Sequence, residues 1–274
     1  MDSVLRGFRS VQRLAYDCAE AVAAQLHPGA TERDAARMQR QWLRQRGVRD
    51  WFHLPFAWFG DRTAFTCFRV PTQFFPTGRR LEPGMPFILD LAPVHRGFTA
   101  DVGYSGCLGP NPLHTRLLDD LGDHRDLVLR EVRERRPLRE IYEDVDRLMT
   151  RQGYVNRHRA YPFGVIAHKV GRVAERRWSP HLFGFGTQAL KGLASDLVHG
   201  HREGWSPLWS PHRRSDHPPR PGLWAVEPHL GFRGIGAKFE ELLVVTDSRD
   251  PEESAFWLDD DLPHVRRGEG RTGR

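Results

Sequence analysis

The sequence predicts a mixed α/β fold of the α+β type, in which two helices precede a group of strands, twice along the chain. Apolar residues recur at three- and four-residue steps over residues 4–26 and from about 112 to 152, which is typical of amphipathic helices. Short apolar runs broken by Gly and Pro fill residues 51–106, and strands and loops return up to the VVTD at 244–247. The duplication is one of architecture, because no sequence repeat accompanies it.

The two N-terminal helices are separated by a Pro-Gly stop. The first covers residues 4–26, and the segment HPGATERD follows it. Pro and Gly end the first helix. Thr31 begins the second helix and is followed by acidic residues. The second helix is expected to run to Gly47, where the β pattern takes over.

The stretch FILDLAPVHRGFTADVGYSG, residues 87–106, predicts two strands joined by a Gly-Phe turn. Asp90 lies inside the first apolar run, and Asp101 follows eleven positions later. An ionised carboxylate in a buried strand is costly unless a cation meets it. Two interpretations are open for this stretch alone: the two Asp residues cap turns, or they bind a cation.

Two segments of the second half differ from their surroundings. Residues 175–222 are rich in Trp, His, Arg and Pro and predict an inserted loop that acts as a lid or specificity loop. Trp205, Trp209 and His201 are its candidate substrate-binding residues, and the alternative is that the Trp residues pack the loop onto the core or a second subunit. Residues 259–274 predict a disordered tail, so that a single catalytic domain covers residues 1–258.

Composition narrows the function classes. Lys and Arg exceed Asp and Glu by 41 − 35 = 6, but the basic residues are scattered among acids and form no nucleic-acid-binding motif. The three Cys residues form no CxxC pair, which argues against a disulfide framework and a thiolate zinc site. The polar N-terminus is not a signal peptide and no apolar run could span a membrane, so we expect a cytoplasmic protein without nucleic-acid or membrane partners.

Three further residues in strand-like settings join the two Asp residues as candidate metal ligands. His168 lies in YPFGVIAHKVG, Glu227 in GLWAVEPHLG and Glu240 in GAKFEELLVVTD. With Asp90 and Asp101 they supply four carboxylates and one imidazole. This oxygen-rich set suits a pair of divalent ions such as Mn(II), Co(II), Fe(II) or Zn(II), which together can hold a bridging hydroxide and polarise a carbonyl oxygen.

The order of these motifs resembles the methionine aminopeptidase, prolidase and creatinase family of pita-bread metallopeptidases. LEPGMPFILDLAPVHRGFTADVGYS is similar to the family's stretch with the first two Asp ligands, AVEPHLG to its Glu-Pro-Gly motif, and KFEELLVVTD to its ligand-bearing last strand. LHPGATERDAARMQRQWLRQRG resembles the family's helical entry. The similarity extends over about residues 5–247.

The resemblance implies a pita-bread fold, with two pseudo-symmetric helix-strand halves around a curved antiparallel sheet, and a centre of two divalent metal ions. It assigns Asp90 to one ion and makes Asp101 and Glu240 bridging ligands. His168 and Glu227 would bind the second ion, and Glu227 would also shuttle a proton from the bound water.

The sequence departs from the family around the auxiliary histidines. Thr72 stands near the place of the first one, and His53 is too far upstream for an ungapped match. No histidine follows His168 at the spacing of the second. His229, next to the Glu-Pro pair, is the candidate catalytic substitute, and its alternative role is to support a ligand. His201 in HGHREG is a rival to His168 as the imidazole ligand.

The predicted function is a dinuclear metal-dependent hydrolase of the aminopeptidase type, resembling methionine aminopeptidases or Xaa-Pro peptidases, acting on a small or specialised peptide. The alternatives are a creatinase-like member that acts on a small C–N compound, and an inactive binding scaffold. For the oligomeric state, a homodimer is one open alternative.

Overall fold

The computed structural model describes residues 2–66, 68–174 and 180–272. Within them the helices are α1 Ser3–Ala23, α2 Glu32–Gln45, α3 Pro112–Arg133, α4 Leu138–Arg151, α5 Thr187–Glu203, α6 Pro251–Ser254 and α7 Pro263–Thr272. The predictions of two N-terminal helices and of helices between 112 and 152 are confirmed. None of these helices is long and apolar enough to cross a membrane.

The described strands form three antiparallel groups. They are β1 Asp50–Phe59, β2 Pro86–His95, β3 Phe98–Thr99, β4 Val102–Cys107, β5 Val155–Asn156, β6 Ala167–Val170, β7 His181–Leu182, β8 Phe185–Gly186, β9 Leu208–Trp209, β10 Gly222–Val226, β11 His229–Phe232, β12 Ile235–Lys238, β13 Glu241–Val245 and β14 Ala255–Trp257. The first sheet has the order β3-β2-β1-β8-β7, with β4 also paired to β2; the second is β14-β13-β10-β6-β9, and the third is β12-β11-β5.

In the first half, α1 and α2 pack against the sheet around β1 and β2. The buried face of α1 includes Phe8, Val11 and Cys18, which join the core formed with the strands. The start of α2 is set by Thr31, whose hydroxyl accepts from the backbone N–H of Asp34 at 3.1 Å while the Asp34 carboxylate accepts from the Thr31 N–H at 3.0 Å. The predicted helix start at Thr31 is confirmed.

The second half repeats the arrangement, with α3 and α4 over the sheet around β10. A second core forms there, and Ile141, Trp224 and Leu243 are among its members. The helix α1 of the first half also reaches this sheet, since the Tyr16 hydroxyl donates to the backbone carbonyl of Glu240 at 2.7 Å. The two halves are therefore joined next to a predicted metal ligand.

The inserted segment differs from the predicted loop. Besides the short strands β7 to β9, it contains the 17-residue helix α5, which ends at Gly204 in a left-handed conformation with φ of 74°. Ala and Leu in this part favour a helix, whereas the His, Pro and Trp residues that led to the loop prediction lie mostly on either side. Arg176, Arg177 and Trp178 lie outside the described residues.

The predicted disordered tail also differs from the structure, because it includes α7 and its residues Asp259, Leu262 and His264 contact the rest of the protein. The Asp259 carboxylate is fully buried and accepts hydrogen bonds from Arg9 and Arg13 of α1, each with an Nη2 to Oδ1 distance of 2.8 Å. Leu262 is buried. These contacts join residues far apart in the sequence, so composition alone gave no sign of them.

We expect Asp259→Asn to lower the free energy of unfolding by about 1–2 kcal/mol, because the bonds to Arg9 and Arg13 lose their charge assistance. Chemical denaturation measures the change. Asp126→Asn on α3, where the side chain is exposed, is the matched control and should leave stability within about 0.5 kcal/mol of the wild type. Equal stability of the two variants would show that the segment does not dock on α1 in solution.

Candidate metal centre

The five residues predicted as metal ligands border one cavity. Asp90, Asp101, Glu227 and Glu240 are each at most 7% exposed, and His168 is largely buried beside them. Donor atoms of Asp101, His168 and Glu240 lie within 4.8 Å of one another. The structure thus brings the five side chains together, while their individual roles as ligands stay predictions.

The strands of both halves position this set. Asp90 lies in the middle of β2, and Asp101 stands between β3 and β4. His168 belongs to β6, Glu227 directly follows β10, and Glu240 directly precedes β13. Since β10 pairs with both β6 and β13, the three second-half residues come from neighbouring strands. The centre therefore combines residues of the first sheet and the second sheet with residues directly next to their strands.

Asp101 lies between two imidazole rings, one from each half. Its Oδ1 is 2.8 Å from Nε2 of His53, and its Oδ2 is 3.3 Å from Nε2 of His168. The Nδ1 atoms of both rings face backbone carbonyls, at 2.8 Å for Leu54 and 3.3 Å for Lys169, so each Nδ1 donates. Although burial opposes ionisation, the two rings lower the pKa of the Asp101 carboxyl.

His53 is a residue of the centre, although it lies too far upstream in the sequence for an ungapped match to the family. It lies on β1 opposite Ala92 of β2, and its Nε2 is also 3.1 Å from Oδ1 of Asp90. Burial opposes protonation, but the two carboxylates outweigh it and raise the pKa of His53 well above its usual value. Counting along the chain missed this residue because strand pairing, not sequence spacing, places it beside Asp90.

Lys238 is a second site residue that the sequence analysis did not include. Its side chain is 1% exposed, and its Nζ donates to Glu227 Oε2 at 2.8 Å and Glu240 Oε2 at 2.9 Å and lies 2.6 Å from Asp90 Oδ2. Burial opposes the charge, but the three carboxylates raise the pKa of Lys238 well above its usual value. The only sequence signal was its position two residues before Glu240.

Burial raises the pKa values of Glu227 and Glu240 above the ordinary range for glutamate. Asp101 and Asp90 raise both further, whereas Lys238 opposes the shift. A buried carboxyl of raised pKa is suited to accept and return a proton. This property suits the proton-shuttle role that the resemblance implies for Glu227.

The donor set fits a divalent metal ion. Carboxylate oxygens and imidazole nitrogens are the ligands of such ions. In both His residues, Nδ1 donates a hydrogen bond to the backbone carbonyl of the next residue, and this bond orients Nε2 toward the carboxylates. Two groups of three can each supply donor atoms within 4.8 Å of one another: His53, Asp90 and Asp101, and Asp101, His168 and Glu240.

The cavity above the centre has a volume of about 350 Å³ and largely apolar walls. Phe52 stacks on the His168 ring, with centroids 5.3 Å apart and an interplanar angle of 7°. The other apolar side chains that line it are Phe56, Trp58, Pro71, Phe74, Tyr161, Pro162, Phe163, Val165, Leu182, Phe183, Phe185, Ala189, Leu190, Leu193 and Leu208. Phe163, Leu182 and Phe183 are more than half exposed, so the apolar lining continues to the mouth.

His229 lies behind this cavity and does not line it. Its Nε2 donates to the Thr63 carbonyl at 2.7 Å, and its Nδ1 accepts from the Tyr161 hydroxyl, 3.3 Å away. Complete burial lowers the pKa of His229 well below its usual value. His229 thus contacts Tyr161, which borders the cavity, and does not line the cavity itself, while its catalytic role stays a prediction.

The three predicted substrate-binding residues do not line the cavity either. Trp209 of β9 is 1% exposed in the second core, where its indole N–H donates to the Leu138 carbonyl. The Trp205 indole donates to Glu203 at 3.0 Å, and its ring faces Lys169. His201 is exposed on α5. The Trp residues thus match the alternative interpretation, in which they pack the segment onto the core.

The inserted segment still borders the cavity, through other side chains. Leu182 and Phe185 of β7 and β8, Leu190 and Leu193 of α5, and Leu208 of β9 line it. Leu190 and Leu193 are three residues apart and so share a helix face. This three-residue spacing is the signal in the sequence for a shared apolar face.

The chain matches the model of metallopeptidase family M24 over residues 6–247. It has no significant match among curated protein sequences.

Among solved structures, the chain is similar to the X-Pro aminopeptidase from Thermotoga maritima, at 14% identity and a TM-score of 0.66, with 96% of this chain and 63% of that chain covered. The prolidase from Thermococcus sibiricus matches at 15% identity and a TM-score of 0.65, with 94% of this chain and 60% of that chain covered. The Xaa-Pro dipeptidase from Bacillus anthracis matches at 18% identity and a TM-score of 0.63, with 94% of this chain and 61% of that chain covered. The chain thus spans about three fifths of their lengths, and the predicted pita-bread fold is confirmed.

We expect His229→Ala to lower the free energy of unfolding by about 2–4 kcal/mol, because it opens a cavity and leaves the Thr63 carbonyl and the Tyr161 hydroxyl without their partner. The number of metal ions bound after reconstitution should not change. Thermal unfolding and elemental analysis measure the two effects. The control His201→Ala, on the exposed face of α5, should alter neither. Loss of bound metal in a folded His229→Ala protein would instead place His229 at the metal.

Proposed function

On the premise that the chain belongs to metallopeptidase family M24, we propose that it is a divalent-metal-dependent hydrolase of small peptides, of the X-Pro aminopeptidase and prolidase type. The observation that carries this proposal is the meeting of four buried carboxylates and two imidazoles at the floor of an apolar cavity. A cluster of this charge and burial is suited to chemistry with a bound cation.

In this proposal Asp101, His168 and Glu240 hold a divalent ion, with Asp90 and Glu227 beside them. Mn(II), Co(II), Fe(II) and Zn(II) all suit the donor set. When bound, the ion supplies an activated water and a Lewis acid for the scissile carbonyl.

The chain supplies the proton transfer and the orientation. Lys238 engages Oε2 of Glu227, so Oε1 is the atom that takes a proton from the attacking water and returns it to the leaving nitrogen. The raised pKa of Glu227 fits that role. Tyr161, fixed by His229, borders the space in which the substrate would lie.

The walls of the cavity support an apolar substrate. Apart from the residues of the centre, the described lining residues carry no charge, and no arginine is among them. Arg202, Arg213 and Arg214 of the inserted segment are exposed and do not line the cavity. We therefore propose peptides with apolar residues on both sides of the scissile bond.

The direct test is hydrolysis of a library of short peptides by protein that has been stripped with a chelator and reloaded with Mn(II), Co(II), Fe(II) or Zn(II). We expect release of an amino acid only after reloading. Asp101→Asn should lower kcat/KM at least about 100-fold, because replacing a metal ligand reduces activity at least as much as replacing a residue that hydrogen-bonds to a ligand. Asp126→Asn is the control. A metal-loaded, folded wild type without activity on any peptide would contradict the proposal.

The apolar wall generates a separate prediction. Leu193→Asp should raise KM for peptides with apolar side chains about 10- to 100-fold, because the lost contact contributes roughly 1.5–3 kcal/mol. Ala194→Asp, at an exposed neighbouring position of α5 outside the lining, is the matched control. Steady-state kinetics measure the effect. An unchanged KM in Leu193→Asp would mean that the substrate does not extend to α5.

A further inference from the structure

A lysine ammonium lies where the carboxylates of the centre converge. Nζ of Lys238 is 2.6 Å from Asp90, 2.8 Å from Glu227 and 2.9 Å from Glu240. These are three of the four carboxylates that the resemblance assigns to two metal ions. A cation belonging to the chain itself therefore already neutralises part of the set.

The surrounding strands are built to admit this side chain. Gly103 of β4 pairs with Asp90, and a Cβ atom at Gly103 would lie 2.2 Å from Cε of Lys238. The backbone N–H of Lys238 donates to the Ser105 hydroxyl at 2.9 Å, which fixes β12 against β4. The ring of Tyr161 faces Nζ at 5.2 Å. Space, backbone position and counter-charge thus all favour the ammonium at this point.

The position of Lys238 competes with a metal ion. The ion that the resemblance assigns to Asp90 would also need the bridging oxygens of Asp101 and Glu240, and the ammonium engages one oxygen of Asp90 and one of Glu240. Two cations held by the same buried carboxylates also repel each other strongly, since little water is present to screen them. Of the two groups of three, the one with His53 contains Asp90, whose Oδ1 faces His53 and whose Oδ2 faces the ammonium. In the group formed by Asp101, His168 and Glu240, the ammonium engages only Oε2 of Glu240.

We propose that the Lys238 ammonium takes the place of one of the two metal ions, so that the centre binds a single divalent ion through Asp101, His168 and Glu240. The inference rests on the proposed metal-dependent function. In that function the ammonium supplies a fixed positive charge beside the ion and favours the negative charge that develops on the substrate oxygen.

The test is the metal stoichiometry of the full chain. Protein stripped with a chelator is titrated with Mn(II) by calorimetry, desalted, and its bound manganese is counted by elemental analysis. We expect one ion per chain for the wild type, for Lys238→Arg and for the control Lys191→Met, whose lysine is exposed on α5. Lys238→Met should bind two ions, and its Mn(II) electron paramagnetic resonance signal should change from that of an isolated ion to that of a coupled pair.

A second variant covers the case in which Lys238→Met does not fold without metal. Gly103→Ala keeps the charge but crowds the lysine out of its place, and it too should bind two ions. Both variants can be purified in the presence of Mn(II) and then counted. Their stripped forms should melt at a lower temperature than the stripped wild type, because the carboxylates lose their nearest cation.

The outcomes separate this inference from the proposed function. Two ions in an active wild type would overturn the inference and leave the function intact. One ion in the wild type and one in both folded variants would also overturn it, because the lysine would then exclude nothing. A wild type that binds no ion would overturn the inference and the metal-dependent function together.

Discussion

The neutralisation of four buried carboxylates is the constraint on which the rest of the structure depends. Asp90 and Asp101 come from the first half of the chain, and Glu227 and Glu240 come from the second. Brought together without cations, they would repel each other and oppose the packing of the two sheets. Lys238 and the two imidazoles provide positive or proton-donating partners from within the chain, and a divalent ion completes the set in the proposed function. The chemistry of the centre and the cohesion of the fold thus have the same electrostatic origin.

Much of the fold was predictable because its signals are local. The amphipathic repeats of α1 to α4, the cap at Thr31 and the strand that carries Asp90 each follow from a few neighbouring residues. The five candidate ligands were found in the same way, since acids and an imidazole inside apolar strands need an explanation wherever they occur.

The remaining features depend on contacts between distant residues. His53 reaches Asp101 through strand pairing, and Lys238 reaches Asp90 because Gly103 leaves room for it. Trp209 was expected at a substrate and lies in the core, since a large apolar ring serves both purposes and sequence does not distinguish them. The docking of Asp259, which precedes the last helix, depends on two arginines about 250 positions away in the sequence.

That last helix has a consequence for the centre. His264 of α7 stacks on Phe239, with centroids 4.8 Å apart, and its Nε2 is 2.9 Å from Oε1 of Glu241. Phe239 stands between Lys238 and Glu240 in the chain, so the helix holds the outer side of the backbone that carries both charged groups. A protease that cuts before residue 259 would remove this support without touching the cavity.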